Sequence, residues 1–319
     1  MRTVCRTLVT GAAGFIGSHL AQALLRKQHV VAIVDSLDDF YSPAHKQANL
    51  KEVARDGKVS VYLTDIRDFA ALETIFDQER PEVVVHAAAR AGVRPSIEQP
   101  RLYHEVNAEG TLNLLMLARA FDVRKFVFIS SSSVYGNSAR VPFTEDQLEM
   151  KPISPYAATK LAGELFCFTY SHLHGLPTIC LRLFTVYGPR QRPDLAIHKF
   201  TALLEAGQPI PIFGDGNSRR DYTYVDDVIA GIVAALRYET NFEVFNLGNS
   251  QPVKLLELVR LLERATGKPA KVNFLPPQPG DVSVTWANIS KARSLLGYDP
   301  RTTLESGLER FVAWYRSVK

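Results

Sequence analysis

An α/β fold, with a doubly wound parallel sheet and a smaller C-terminal domain, is what this sequence predicts, on three observations. Through residues 1–180, short apolar runs alternate with helix-length amphipathic stretches, the pattern of successive βαβ units. The first unit carries a glycine-rich turn and closes on an acid. After residue 180 the alternation is interrupted by Pro189, Pro193, Pro209 and Pro211, and the helical stretches shorten. The chain is expected to return to the large sheet around 221–247, so the second domain is mainly residues 181–319.

The first strand is the run TLVT at 7–10. It meets Gly11-Ala12-Ala13-Gly14-Phe15-Ile16-Gly17, and a helix follows with Ile16, Leu20, Ala23 and Leu24 as its apolar side. Residues 30–34 are continuously apolar and end in Asp35. Strand, glycine turn, helix, strand and acid in that order form a Rossmann-type dinucleotide unit. The glycines allow close approach of backbone to a pyrophosphate, and the N–H groups of the first helical turn, from Phe15 and Ile16, are free to meet it. Asp35 suits a ribose diol and repels a 2′-phosphate, which favours NAD over NADP.

A strand over 59–63 runs into Thr64, Asp65, Ile66 and Arg67, and 69–78 is helical. The strand over 83–86 runs into Ala87, Ala88 and Ala89, small residues that suit either a cofactor lying on the backbone or plain close packing. A long helix is expected over 102–121, with Asn107 facing the preceding strand end. An apolar run at 125–129 then ends in Ser130, Ser131, Ser132 and Ser133. A helix from Tyr156 to about His174 and a strand over 178–183 follow. Gly11, Asp35, Asp65, Ala88 and Ser131 all fall at strand carboxyl ends, where open α/β sheets bind ligands. Further on, 214–217 is a turn, 225–236 a helix and 244–247 a strand. The helix over 255–266 is stopped by Gly267, prolines at 276–280 mark a loop, and 304–318 is a closing amphipathic helix.

The composition excludes several function classes. Apolar residues make up 46% and charged residues 22% of the 319, as in an ordinary globular protein. The net charge of +4 is small and the basic residues are dispersed, so nucleic acid is not expected as a partner. No apolar run reaches the roughly 18 residues of a membrane span, and no signal peptide is visible before the first strand. Cys5, Cys167 and Cys180 have neither metal nor disulfide spacing and sit in apolar runs, as core thiols of a cytoplasmic protein would; the histidines show no ligand spacing, so no metal is expected.

The chemistry concentrates in 130–160. Tyr156 and Lys160 lie four apart on one helix face, behind a Ser154-Pro155 start signal. A free tyrosine has a pKa of about 10 and is a weak base at neutral pH; a neighbouring ammonium lowers it. Lys160 is expected to do so, with a serine at the strand end holding the reacting hydroxyl in line. Alone, the Tyr-x-x-x-Lys pattern is more often an ordinary helix face; the dinucleotide unit before it gives it weight.

These residues resemble the extended short-chain dehydrogenase/reductases that act on nucleotide sugars. The resemblance covers nearly the whole chain, through the motif at 10–17, Asp65-Ile66-Arg67, His86-Ala87-Ala88, 130–136, 156–160, 182–188, Arg220-Asp221-Tyr222 and Pro279-Gly280-Asp281. It implies a Rossmann-type sheet with a smaller C-terminal substrate-binding domain, bound NAD, a UDP-sugar substrate and a homodimer formed through the helices at 102–121 and 156–174. Sugar 4,6-dehydratases and UDP-glucuronate decarboxylases of this family carry an acid in the strand-end triplet. Here Ser131, Ser132 and Ser133 contain none, which points to a 4-epimerase.

The chain is most similar to UDP-glucuronate 4-epimerases at Asp38-Asp39-Phe40-Tyr41, Ala91-Gly92-Val93-Arg94, 183–188, Arg192-Pro193-Asp194 and 278–282. Leu195 and Asn288 depart from that pattern, where Met and Asp are usual. The resemblance assigns catalysis to Tyr156, Lys160, Ser131 and Ser133. It assigns cofactor contacts to Gly11, Gly14, Phe15, Ile16, Gly17, Asp35, Asp65, Ile66, Ala87, Ala88, Ala89, Asn107, Ser130, Tyr156 and Lys160. Sugar-nucleotide contacts fall to Arg94, Ser132, Thr185, Arg192, Phe213, Arg220 and Asp281, with Arg220 toward the diphosphate and Asp281 toward the uridine ribose. Arg192 suits a substrate carboxylate, which a guanidinium meets with two bonds, or equally the diphosphate or an ordinary surface position. UDP-glucose/UDP-galactose epimerisation is the alternative; a dehydratase or an NAD-binding regulator is more remote.

Overall fold

The computed structural model describes residues 5–278 and 280–319. Pro279, part of the proline loop and of the Pro279-Gly280-Asp281 motif, lies outside the described residues.

Seven strands form one parallel sheet. They are β1 (Arg6–Thr10), β2 (Val30–Val34), β3 (Val59–Tyr62), β4 (Val83–His86), β5 (Lys125–Ser131), β6 (Thr178–Leu183) and, after a long excursion, Phe242–Leu247. The order runs from Phe242–Leu247 through β6, β5, β4, β1 and β2 to β3. The sheet grows outward from β1 in one direction and then, after β3, resumes on the other side with β4. The reversal opens a crevice above the carboxyl ends of β1 and β4, the usual ligand position in such sheets.

Helices cover both faces. They are α1 (Phe15–Arg26), α2 (Pro43–Ala54), α3 (Phe69–Glu79), α4 (Val93–Glu98), α5 (Pro100–His104), α6 (Gly110–Ala120) and α7 (Pro155–His174). Central strands are buried on both faces, which is why they read as unbroken apolar runs. One core joins α1, the sheet and the C-terminal elements; the other lies under α3 and α6, around Leu72, Phe76, Leu114, Leu115, Phe126 and Phe128.

Two findings differ from the sequence reading. The helix expected over 102–121 begins at Pro100, and its five residues Glu105–Glu109 form a π turn between α5 and α6. Helix α2 has Ser42 and Pro43 as start signals, but its polar sequence PAHKQANLKEVA carries no apolar stripe that periodicity can find.

The remainder packs over the strand ends. β7 (Thr185–Tyr187) pairs in parallel with β9 (Arg219–Tyr224), and β9 pairs with β11 (Pro252–Lys254), while β8 (Ile210–Phe213) pairs with β12 (Val272–Leu275); Phe242–Leu247 is then β10. These strands are three to six residues long, too short to announce themselves by alternation. Helices α8 (Ala196–Glu205), α9 (Val225–Arg237), α10 (Leu255–Thr266), α11 (Ser290–Leu296) and α12 (Leu304–Ser317) complete the chain. Asp221 fixes this part. Its buried carboxylate accepts N–H groups from Asn249, Ser250 and Ala287, tying two segments to β9.

Candidate active site

A cleft of about 1240 Å³ runs along the carboxyl edge of the large sheet, between it and the small sheets. Every site residue named from the sequence lines it except Asn107.

Its first half is built by β1, β2 and β4. Gly11 has φ +73°, and a Cβ there would stand 2.6 Å from the Ala88 backbone nitrogen. Only glycine lets β1 turn against the Ala87–Ala88 backbone at the crevice. Gly14 begins α1 without a side-chain cap, so the N–H groups of its first turn face the cleft beside Phe15, Ile16 and Gly17. Asp35 closes β2. Its carboxylate accepts the N–H groups of Ala13 and Leu37, each at 2.9 Å; burial raises its pKa and those two bonds work against the rise. Glycine cradle, uncapped helix and acid together fit a dinucleotide. Asp65 and Ile66 stand at the far end of this half, where Asp65 is gripped by Arg67 and held below its ordinary pKa.

The end of β4 is braced from below. His86 bonds Thr10 Oγ1 at 2.8 Å and Thr111 Oγ1 at 2.9 Å, and burial, with Lys160 adding to it, pulls its pKa down to about 3, so the ring is neutral. Asn107, on the π turn, accepts the Arg90 N–H and donates to the Arg90 carbonyl and to Thr159 Oγ1. It stands behind the cleft wall, joining α7 to the segment after β4.

The second half holds the reacting groups. Ser154 caps α7 through the Ala157 N–H, with Pro155 in the first turn, and so sets the start of the helix bearing Tyr156 and Lys160. Ser131 Oγ and Ser133 Oγ lie 3.1 Å apart. Ser130 lines the cleft, but its hydroxyl is turned to Glu164.

The electrostatics of Tyr156 correct the sequence expectation. Burial raises its pKa above the ordinary tyrosine value; a hydrogen bond from Ser131 and the charge of Arg192 oppose the rise. Lys160 is not among the opposing groups. Its ammonium bonds the Ile129 carbonyl at 2.7 Å and sits over the Phe128 ring, and burial lowers its own pKa to about 8.

Arg192 presents the Nε–Nη2 edge of its guanidinium to Asp194, at 3.0 and 2.9 Å. Burial works against its charge, but Asp194, Tyr156 and Tyr41 outweigh that and raise its pKa. Thr185 and Ser132 line the same stretch. Farther out, Arg94 bonds Asp281 at 2.7 Å and lies over the Phe213 ring, while Arg220 is half-buried in the same cleft. The sequence reading gave no role to Phe40, Lys46, Arg90 or Asp194, which also line the cleft. Their signal was present as charged and aromatic residues in the segments that follow β2, β4 and β7.

A family model described as the NAD dependent epimerase/dehydratase family matches residues 7–248. A UDP-glucuronate 4-epimerase of Thermodesulfobacterium geofontis is 45% identical over 308 residues, covering 96% of this chain and 95% of that protein. The crystal structure of UDP-glucuronic acid 4-epimerase from Bacillus cereus with UDP-glucuronic acid and NAD superposes with a TM-score of 0.93 at 40% identity, over 98% of this chain and 99% of that one. The UDP-glucose 4-epimerase of Thermotoga maritima, solved with UDP-glucose, gives a TM-score of 0.91 at 35% identity, over 98% and 99%.

Proposed function

The chain belongs to the NAD-dependent epimerase/dehydratase family, and we propose that within it this protein is an isomerase that interconverts UDP-glucuronate and UDP-galacturonate by inversion at C4. The observation that carries the reading is one cleft in which Tyr156, the Ser131–Ser133 pair and the Arg192 guanidinium stand together, with no acid in the serine triplet.

Gly11, Gly14, Phe15, Ile16 and Gly17 would hold the NAD pyrophosphate, Asp35 its adenosine ribose and Lys160 its nicotinamide ribose. Bound NAD supplies the hydride acceptor for C4 and the donor for the return. The side chains do the rest. Tyr156, as phenolate, takes the C4 hydroxyl proton and later gives it back. Ser131 and Ser133 orient that hydroxyl, and the Arg192 charge favours the phenolate. With no acid in the triplet to drive an elimination, the 4-keto sugar has only to turn and be reduced on its other face. Arg220, Asp281, Phe213 and Arg94 would grip the nucleotide meanwhile, remote binding that keeps the ketone in place.

The test is purified protein with UDP-glucuronate and no added cofactor, followed by NMR. UDP-galacturonate should appear, and denaturation should release NAD. Turnover of UDP-glucose with none of the acid would replace this reading by the neutral-sugar one.

The same reading includes a cofactor part, residues 1–180 with the returning strand, and a nucleotide-sugar part, mainly 181–319. It includes a homodimer, supported by exposed Leu165, Phe168 and Leu173 on α7 and Met116 on α6, and testable by light scattering. It also places the protein in the cytoplasm, which its three free cysteines suit. Among the described residues no helix is long and apolar enough to cross a membrane.

A further inference from the structure

Phe40 packs against two guanidinium groups. Arg90 lies over its ring at 5.1 Å and Arg192 at 5.4 Å. The loop that carries it is pinned. Asp38 accepts Lys46 Nζ at 2.6 Å and Arg90 Nη1 at 2.7 Å, and Lys46 also donates to the Asp38 carbonyl. Arg90 is itself fixed through its backbone by Asn107. A line of contacts therefore leads from the π turn through Arg90 and Phe40 to Arg192.

Arg192 is constrained in two ways. Asp194 takes the Nε–Nη2 edge, and the Phe40 ring lies against the guanidinium, its centroid 5.4 Å from Cζ. Among the described residues none accepts a hydrogen bond from Nη1, so the Nη1–Nη2 edge is the one left for a ligand. A planar carboxylate can meet that edge with two parallel bonds only if the plane is held at a fixed tilt.

We infer that Phe40 is a positioning residue for acid-sugar selectivity: its ring fixes the Arg192 plane so that the open edge meets the substrate carboxylate. The inference rests on the glucuronate reading above. Phe40 touches neither the reacting atoms nor the sugar in this scheme and acts through Arg192.

The experiment uses NAD-loaded Tyr156→Phe protein, in which bound sugars turn over on the order of 10²–10⁴ more slowly, and measures dissociation constants of UDP-glucuronate and UDP-glucose by calorimetry. Adding Phe40→Leu should weaken UDP-glucuronate by about three- to tenfold, the usual worth of a cation–ring contact. UDP-glucose should stay within about twofold. Phe40→Tyr, which keeps the ring, should match the parent. In an Arg192→Ala background Phe40→Leu should add nothing. Equal weakening of both sugars, or a further loss in the Arg192→Ala background, overturns the inference. Should Phe40→Leu lose its fold or its NAD, Phe40→Trp decides: a retained or stronger preference for the acid supports the inference, a weaker one overturns it. A parent that binds UDP-glucose as tightly as UDP-glucuronate overturns the glucuronate reading itself. A parent preference that Arg192→Ala abolishes and Phe40→Leu leaves intact overturns the role of Phe40 alone.

Discussion

Glu164 and Arg182 meet in a buried two-bond ion pair beneath the serine cluster, with Nε to Oε1 at 2.9 Å and Nη2 to Oε2 at 2.7 Å. The pair joins α7 to β6, and Oε1 also takes the Ser130 hydroxyl. The helix carrying the reacting tyrosine is thus locked to the sheet from within. Glu164→Ala should cost roughly 3–5 kcal/mol, because it leaves a buried guanidinium unpaired. Replacing both partners, as Glu164→Leu with Arg182→Met, should restore most of the loss. Denaturant unfolding of the two variants checks both statements; a single variant within about 1 kcal/mol of wild type contradicts the first.

Tyr156→Phe should remove the acid–base step alone. Turnover should fall by on the order of 10²–10⁴, with NAD content and UDP-sugar binding unchanged. A progress curve for UDP-glucuronate conversion, beside the calorimetric binding constant, separates the two effects. Retention of more than about half the rate would remove Tyr156 from the mechanism.

Arg192 carries two readouts. Arg192→Ala should weaken handling of UDP-glucuronate by roughly 1.5–3 kcal/mol, the worth of a hydrogen bond to a charged group, and change UDP-glucose much less. The Arg192 charge also opposes the rise in the Tyr156 pKa. Losing that cation should therefore raise the tyrosine pKa further and move the rising limb of the pH–rate profile to higher pH. A limb that stays in place or moves to lower pH would separate Arg192 from the titration of Tyr156.

Lys160 gives a stability prediction with a definite sign. Burial lowers its pKa from the ordinary 10.5 to about 8, so the unfolded chain binds this proton more tightly than the folded one. The charge therefore weakens the fold below the folded pKa, and the weakening fades as pH rises from there toward the unfolded value. Lys160→Met should be at least as stable as wild type at neutral pH and should lack the alkaline gain, while losing most of its turnover. Denaturation at neutral pH and near the unfolded lysine pKa reads both. A Met variant clearly weaker at neutral pH would mean that the Ile129 carbonyl bond, at 2.7 Å, outweighs burial.

Much of this was legible in the residues. The βαβ order, the glycine turn, Asp35 and the Tyr156–Lys160 spacing are local patterns set by strand and helix periods, and each falls where those periods place it. What was not legible depends on contacts between distant segments. The four-residue spacing predicts that Lys160 lowers the Tyr156 pKa, but burial dominates that tyrosine, and the Lys160 ammonium bonds the Ile129 carbonyl brought in by β5. The sequence offers Arg192 as a contact to a substrate carboxylate or a diphosphate, but does not show that Asp194 holds one edge of it and Phe40 lies against it. Helix α2 and the small sheets lack strong periodicity and form because neighbouring elements bury them.

The π turn at Glu105–Glu109 accommodates one residue more than a regular helix would. Such a turn absorbs an insertion without rotating the helical segments on either side of it. Shortening the turn by a single residue should therefore leave α5 and α6 in phase, with Leu114, Leu115 and Leu117 still facing the core. What would be withdrawn is Asn107, and with it the tie between Arg90 and α7. A one-residue deletion here is thus a lesion the core tolerates and the site does not, a place where loss of a codon alters catalysis while sparing the fold.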